Sequence, residues 1–88
     1  MEKSNPVLKQ AILKAVENQL RQNDPPETKI TLNRLMEEGY SKKEAKELIA
    51  AALSAHMFDM LKNKREYDNA KYVKELENLP NLPWEKNN

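Results

Sequence analysis

A single histidine, His56, and an absence of cysteine narrow the chemistry open to this 88-residue chain. Without cysteine there is no thiolate nucleophile, no disulfide framework and no cysteine-ligated zinc. A zinc or di-metal centre needs three or more converging ligands, and helical carboxylate sites need a Glu-x-x-His spacing. Neither pattern occurs around His56. The hydroxyls of Ser4, Ser41 and Ser54 lack a second histidine to activate them. Glu37 with Glu38, or Glu44 with Glu47, can be written as carboxylate pairs, but lysines stand beside them as on ordinary solvated helix faces. One glycine cannot make a Gly-rich phosphate loop. His56 is therefore read as a hydrogen-bonded core residue, with no catalytic, cofactor-binding or metal-binding residue assigned and no enzyme activity expected.

A length of 88 residues leaves room for one domain, 1–88, with a small core and marginal stability. Hydrophobic residues at 39% and charged residues at 33% describe a surface-rich helical protein rather than a disordered one. Fifteen basic and 14 acidic side chains, interleaved along the chain, give a formal charge of +1. That balance supplies no net field towards nucleic acid or an anionic membrane, and neither is expected as a partner. No run of 18 apolar residues occurs, and MEKSNP lacks a signal-peptide core, so a cytoplasmic location is expected.

Four helices are predicted, about 6–22, 25–38, 42–62 and 69–79, in an all-α fold. Asn5 and Pro6 open the first as cap and first-turn proline. Leu8, Ala11, Ile12, Ala15, Val16 and Leu20 then recur at helical spacing. Gln19 falls at the core edge, where an amide bonding a loop backbone is expected. Asp24 and Glu27 have capping-box spacing around Pro25 and Pro26. The second helix carries Thr28, Leu32, Leu35 and Met36 on one stripe, with Ile30, Asn33, Arg34 and Glu37 opposite.

The organising element is the third helix. Gly39 ends the second where a left-handed residue is needed, and Ser41 with Glu44 forms the next capping box. Tyr40 is placed to staple onto Ala45. Ala45, Leu48, Ile49, Ala52, Leu53, His56 and Met60 form the core stripe, widened by Met57 and Leu61. Ala50, Ala51 and Ala55 flank or oppose that stripe, and Phe58 points away from it. Lys62, Lys64 and Arg65 sit at the carbonyl end among Asp59, Glu66 and Asp68 and read as a solvated terminus. Asp68 caps the fourth helix, Tyr67 staples to Tyr72, and Tyr72, Val73, Leu76 and Leu79 face inward. The tail from Leu79 to Trp84 is held extended by Pro80 and Pro83. Leu82 and Trp84 either fold back over the third helix, covering Phe58, or serve as a peptide ligand for another protein. Residues 1–4 and 86–88 are expected to be disordered.

Leu35-Met36-Glu37-Glu38-Gly39-Tyr40-Ser41 with Glu44-Ala45 resembles the first loop of ubiquitin-associated domains, where a Met-Gly-Phe-type turn binds partners. That fold breaks its second helix after about ten residues, whereas the apolar pattern here continues to Leu61. A longer ordered string resembles a group of short uncharacterised bacterial proteins catalogued as a domain of unknown function. It runs through Asn5-Pro6, Gln19, Asp24 to Thr28, Arg34-Leu35-Met36, Glu38 to Ser41, Glu44-Ala45, Phe58-Asp59, Tyr72-Val73 and Leu79 to Glu85. Longer members carry first-helix histidines where this chain has Lys9 and Leu13, so a metal bound there has no counterpart here. The resemblance implies a helical cytoplasmic protein and supplies no activity.

The reading is a small interaction module of four helices with no polar machinery at its centre. Its candidate partner surface is Tyr40, Met57, Phe58 and Trp84, facing an unknown protein. The alternatives are a homodimer through the alanine-rich back of the third helix and, more remotely, an accessory that binds a metal or substrate for an enzyme.

Overall fold

A computed structural model describes residues 6–84 of the chain; the Asn5 cap and the terminal segments expected to be disordered lie outside them. The four helices are α1 (Pro6–Gln22), α2 (Pro26–Glu37), α3 (Lys42–Asn63) and α4 (Asn69–Asn78). No strand occurs among the described residues, so the fold is all-α as the periodicity predicts. The 22 residues of α3 run unbroken and touch each of the other helices. Nothing interrupts the helix where the ubiquitin-associated resemblance would have required a break.

Local chemistry sets the boundaries. At the end of α2 the Tyr40 N–H donates to Leu35 O (3.1 Å) and Gly39 N–H to Met36 O (3.1 Å), the paired bonds of a Schellman cap. Gly39 supplies the required positive φ, 109°. The same bonds close α1, where Asp24 N–H donates to Gln19 O and Asn23, at φ 54°, takes the place of the glycine. Ser41 and Glu44 then exchange both bonds of the capping box, and Asp68 accepts from the Lys71 N–H to start α4. The expected Asp24–Glu27 box is absent. Pro25 occupies the cap position of α2 with no side-chain bond, because the two prolines already hold the first turn in shape.

Gly39→Ala isolates one of these terms. A Cβ at Gly39 meets nothing within 4 Å, so the cost is conformational rather than steric. We expect a loss of about 1–3 kcal/mol of stability in denaturant titration. A loss below the error of the titration would show that the corner relaxes at no cost.

The core gathers Ile12 and Val16 from α1, Leu32 and Leu35 from α2, Ala45, Ile49, Ala52 and Leu53 from α3, and Tyr72, Leu76 and Leu79 at the far end. Several stripe assignments change. Leu8, Ala11 and Met36 are exposed, and Met57 and Leu61 do not widen the buried face of α3. Ala50, expected to flank or oppose the stripe, is buried, and Thr31 is buried beside the predicted Thr28. Arg34, assigned to the outer side of α2, instead reaches α4. Its guanidinium donates to Leu76 O (3.0 Å) and pairs with Glu38 (3.0 Å). Leu76 O also accepts from the Leu79 N–H at the end of α4, so Arg34 is its second donor and ties α2 to the last turn of α4.

Candidate functional site

Two features stand out from the helices upward: a polar network inside the core and an apolar strip outside it. The network contradicts the expectation of a centre without polar machinery. Thr28 Oγ1 and the Tyr72 hydroxyl both donate to Gln19 Oε1, at 2.8 and 3.0 Å. The amide therefore bonds side chains of α2 and α4 rather than the loop backbone anticipated for it. Thr28 and Tyr72 are fully buried, and both hydroxyls converge on that one oxygen. Burial pushes the Tyr72 phenol up to about 12, against the lowering effect of its bonds with Thr28 and Gln19. It stays a neutral donor throughout the physiological range.

His56 is buried from α3 as read from the sequence, and its ring lies on Tyr72 at 5.8 Å and edge-on to Tyr67 at 5.3 Å. Its Nε2 lies 3.4 Å from the Asp68 N–H, which donates to it. Tyr67 and Tyr72 also meet, at 6.3 Å, as the staple predicts. His56 Nδ1 and Glu75 Oε1 are both shut off from solvent and without a hydrogen-bond partner. Burial raises the Glu75 carboxyl above its ordinary value, opposed by His56 and Lys71.

A group whose folded pKa lies above its unfolded value contributes stability that is complete below the unfolded value and lost as pH rises through the folded one. Glu75→Gln removes that loss. We expect the variant to melt above the wild type at neutral pH, with the gap closing as pH falls below the ordinary carboxylate range. Parallel melting curves at every pH would refute the assignment.

The strip lies on the distal half of α3. Phe58 is 64% exposed, Leu61 80% and Met57 39%, and positions i, i+1 and i+4 place them together on one flank. The Lys62 ammonium sits 6.0 Å from the Phe58 ring centre. Asp59 beside them is committed elsewhere. Desolvation pushes its carboxyl up, but bonds from Lys71 and Asn63 and the nearby charges of Lys71 and Arg65 outweigh it and hold it below its ordinary value. The exposed charges that follow the strip along the chain are Lys62, Lys64, Arg65 and Glu66.

Of the four residues nominated from the sequence, Met57 and Phe58 belong to this strip. Tyr40 packs half-buried against the core at the α2–α3 corner, some 25 Å of helix rise away from Phe58. The tail divides. Leu82 folds back beside Tyr40, Leu48 and Ala51, whereas Trp84 stays 60% exposed, so Phe58 receives no cover from either. Leu61 is absent from the nominated surface because its spacing, one turn from Met57, assigns it to the core stripe; the structure leaves it 80% exposed beside Phe58.

Among the described residues no three His, Cys, Asp or Glu side chains converge, and no helix is long and apolar enough to cross a membrane. No curated protein and no solved structure matches the chain. The match that is found ends at Asn78, the last residue of α4, so it takes in the whole Gln19–Thr28–Tyr72 network and the strip and leaves out the tail. Over residues 1–78 the chain fits the family described as Domain of unknown function (DUF1841), and it belongs to that family.

Proposed function

We propose that the protein is a non-catalytic interaction module of the cytoplasm that holds a protein partner on the distal flank of α3. The observation that carries this is the exposed Met57–Phe58–Leu61 strip, three large apolar side chains left uncovered on one flank of α3. Together the three side chains offer roughly 400 Å², the size of the largest apolar patch on a typical monomer and about half of one side of a standard stable interface. An area that small fits a transient partner better than an obligate second copy. The alanine-rich route to a homodimer loses ground as well, since Ala50 is buried inside its own domain.

The border selects the partner. With Asp59 occupied by Lys71 and Asn63, Lys62, Lys64 and Arg65 outnumber Glu66 and favour an apolar segment flanked by Asp or Glu. Tyr40, nominated with this surface, lies at the other end of α3, and neither it nor Trp84 is needed for the strip.

A photo-crosslinking residue at position 58, used in the native cell, would identify the bound segment, whose synthetic peptide is then titrated against the pure protein. We expect Phe58→Ser with Leu61→Ser to weaken that peptide by at least about tenfold, since each lost apolar anchor is worth more than 1 kcal/mol. Unchanged affinity, or crosslinks only to a second copy of the chain, would overturn the proposal.

A further inference from the structure

At the opposite end of α3 from its apolar strip, a groove of about 320 Å³ opens between α1, α2 and α3. Arg21, Lys29, Lys42 and Lys46 line it against a single carboxylate, Glu17, and Leu20 and Leu32 supply its apolar wall. Lys46 pairs with Glu17 at 3.3 Å, with only 24% of the lysine side chain exposed. Arg21 donates to the Asn18 amide oxygen rather than to a carboxylate. Lys29 and Lys42 have no ion pair among the described residues. Four cations and one anion leave the groove at +3, in a chain whose formal total is only +1.

This placement runs against the electrostatics of the helices. Lysines are favoured at the carbonyl end of a helix and disfavoured in its first turn, yet Lys42 opens α3 and Lys29 lies just inside α2. The first turn of α3 is not itself the anion receptor, because its capping box already uses the Ser41 hydroxyl and the Glu44 carboxylate. The cations converge from three helices on one space, and like charges gathered without counter-charges oppose folding. Local rules broken together in this way mark functional sites.

We propose that this groove binds a small, multiply charged phosphate anion, of the size of a pyrophosphate or triphosphate group. Lysine ammonium groups act as point charges suited to phosphate, and Arg21 is the only planar fork available for bidentate carboxylate pairing. The volume stands at the lower end of small-ligand pockets and is short for an extended acidic peptide. No aromatic side chain lines it, so nothing there stacks on a nucleobase.

The experiment titrates inorganic tripolyphosphate into the full chain, following backbone amides by NMR and affinity by calorimetry at two salt concentrations. Saturable binding is expected, with shifts centred on Lys29, Lys42 and Lys46 and affinity falling as salt rises. Lys29→Gln with Lys42→Gln should weaken binding by about tenfold or more, through loss of two of the four charges. The same double variant should melt no lower than the wild type without ligand, which separates lost binding from lost folding. Lys62→Gln with Lys64→Gln, far from the groove, should bind as the wild type does. Absence of saturation, equal weakening by both pairs, or tighter binding of a poly-glutamate peptide or a single-stranded oligonucleotide of matched charge would overturn the proposal.

Discussion

Tyr72→Ala is expected to remove about 3–5 kcal/mol of stability, the range for truncating a buried aromatic residue. Tyr72 is fully buried and among the largest side chains in the core. Its ring meets both His56 and Tyr67, and its hydroxyl reaches across to α1. Truncation therefore opens a cavity and unpins α4 from two neighbours at once. A domain of 88 residues has roughly 4–13 kcal/mol in total, so the variant should be largely unfolded at the low end of that range. Tyr72→Phe keeps the packing and discards only the hydroxyl, and should cost about 0.5–1.5 kcal/mol. Chemical denaturation of the pair gives both values. Similar losses for the two variants would mean that the hydrogen bond, not the ring, holds α4 in place.

Gln19→Leu should be nearly as damaging, for a different reason. Leucine fills similar space but removes the acceptor that Thr28 and Tyr72 share, leaving two buried hydroxyls with only each other to bond. At about 1–3 kcal/mol for each orphaned donor, the expected loss is roughly 2–4 kcal/mol, since partial relaxation of one hydroxyl is available. The triple variant Gln19→Leu, Thr28→Val, Tyr72→Phe removes acceptor and donors together. It should be more stable than Gln19→Leu alone, because a polar group costs most when its partner is taken away and it remains. Should the three losses simply add, the network would not be acting as one unit.

What the sequence made legible was the punctuation. Helix starts and stops are written within five residues of one another, as at Gly39, Ser41 and Glu44, or at Asp68 and Lys71, so no distant partner is needed to read them. All four helices consequently lie within a residue of their predicted ends. The contents of the core were harder, because a one-stripe reading of a helix assumes one neighbour. α3 has three, and its buried arc takes in Ala50 as well as Ala45, Ile49, Ala52, Leu53 and His56. Toward its C-terminus the arc narrows. α4 has 10 residues, about 15 Å, against about 33 Å for the 22 of α3, and it leaves Phe58 and Leu61 uncovered. Gln19 and Arg34 were misread for a related reason. Each bonds a group on α4, 53 and 42 residues further along, and no local pattern announces a partner at that separation.

Trp84, the only tryptophan, stands on the tail beyond α4 and is 60% exposed, while all three tyrosines lie at or inside the helical body. Its indole is thus already bathed in water in the native state, and its emission should shift little when the helices melt. The useful optical reporter is the phenol buried under His56. During alkaline titration, the absorbance increment of Tyr72 should arrive only together with loss of the far-ultraviolet helix signal.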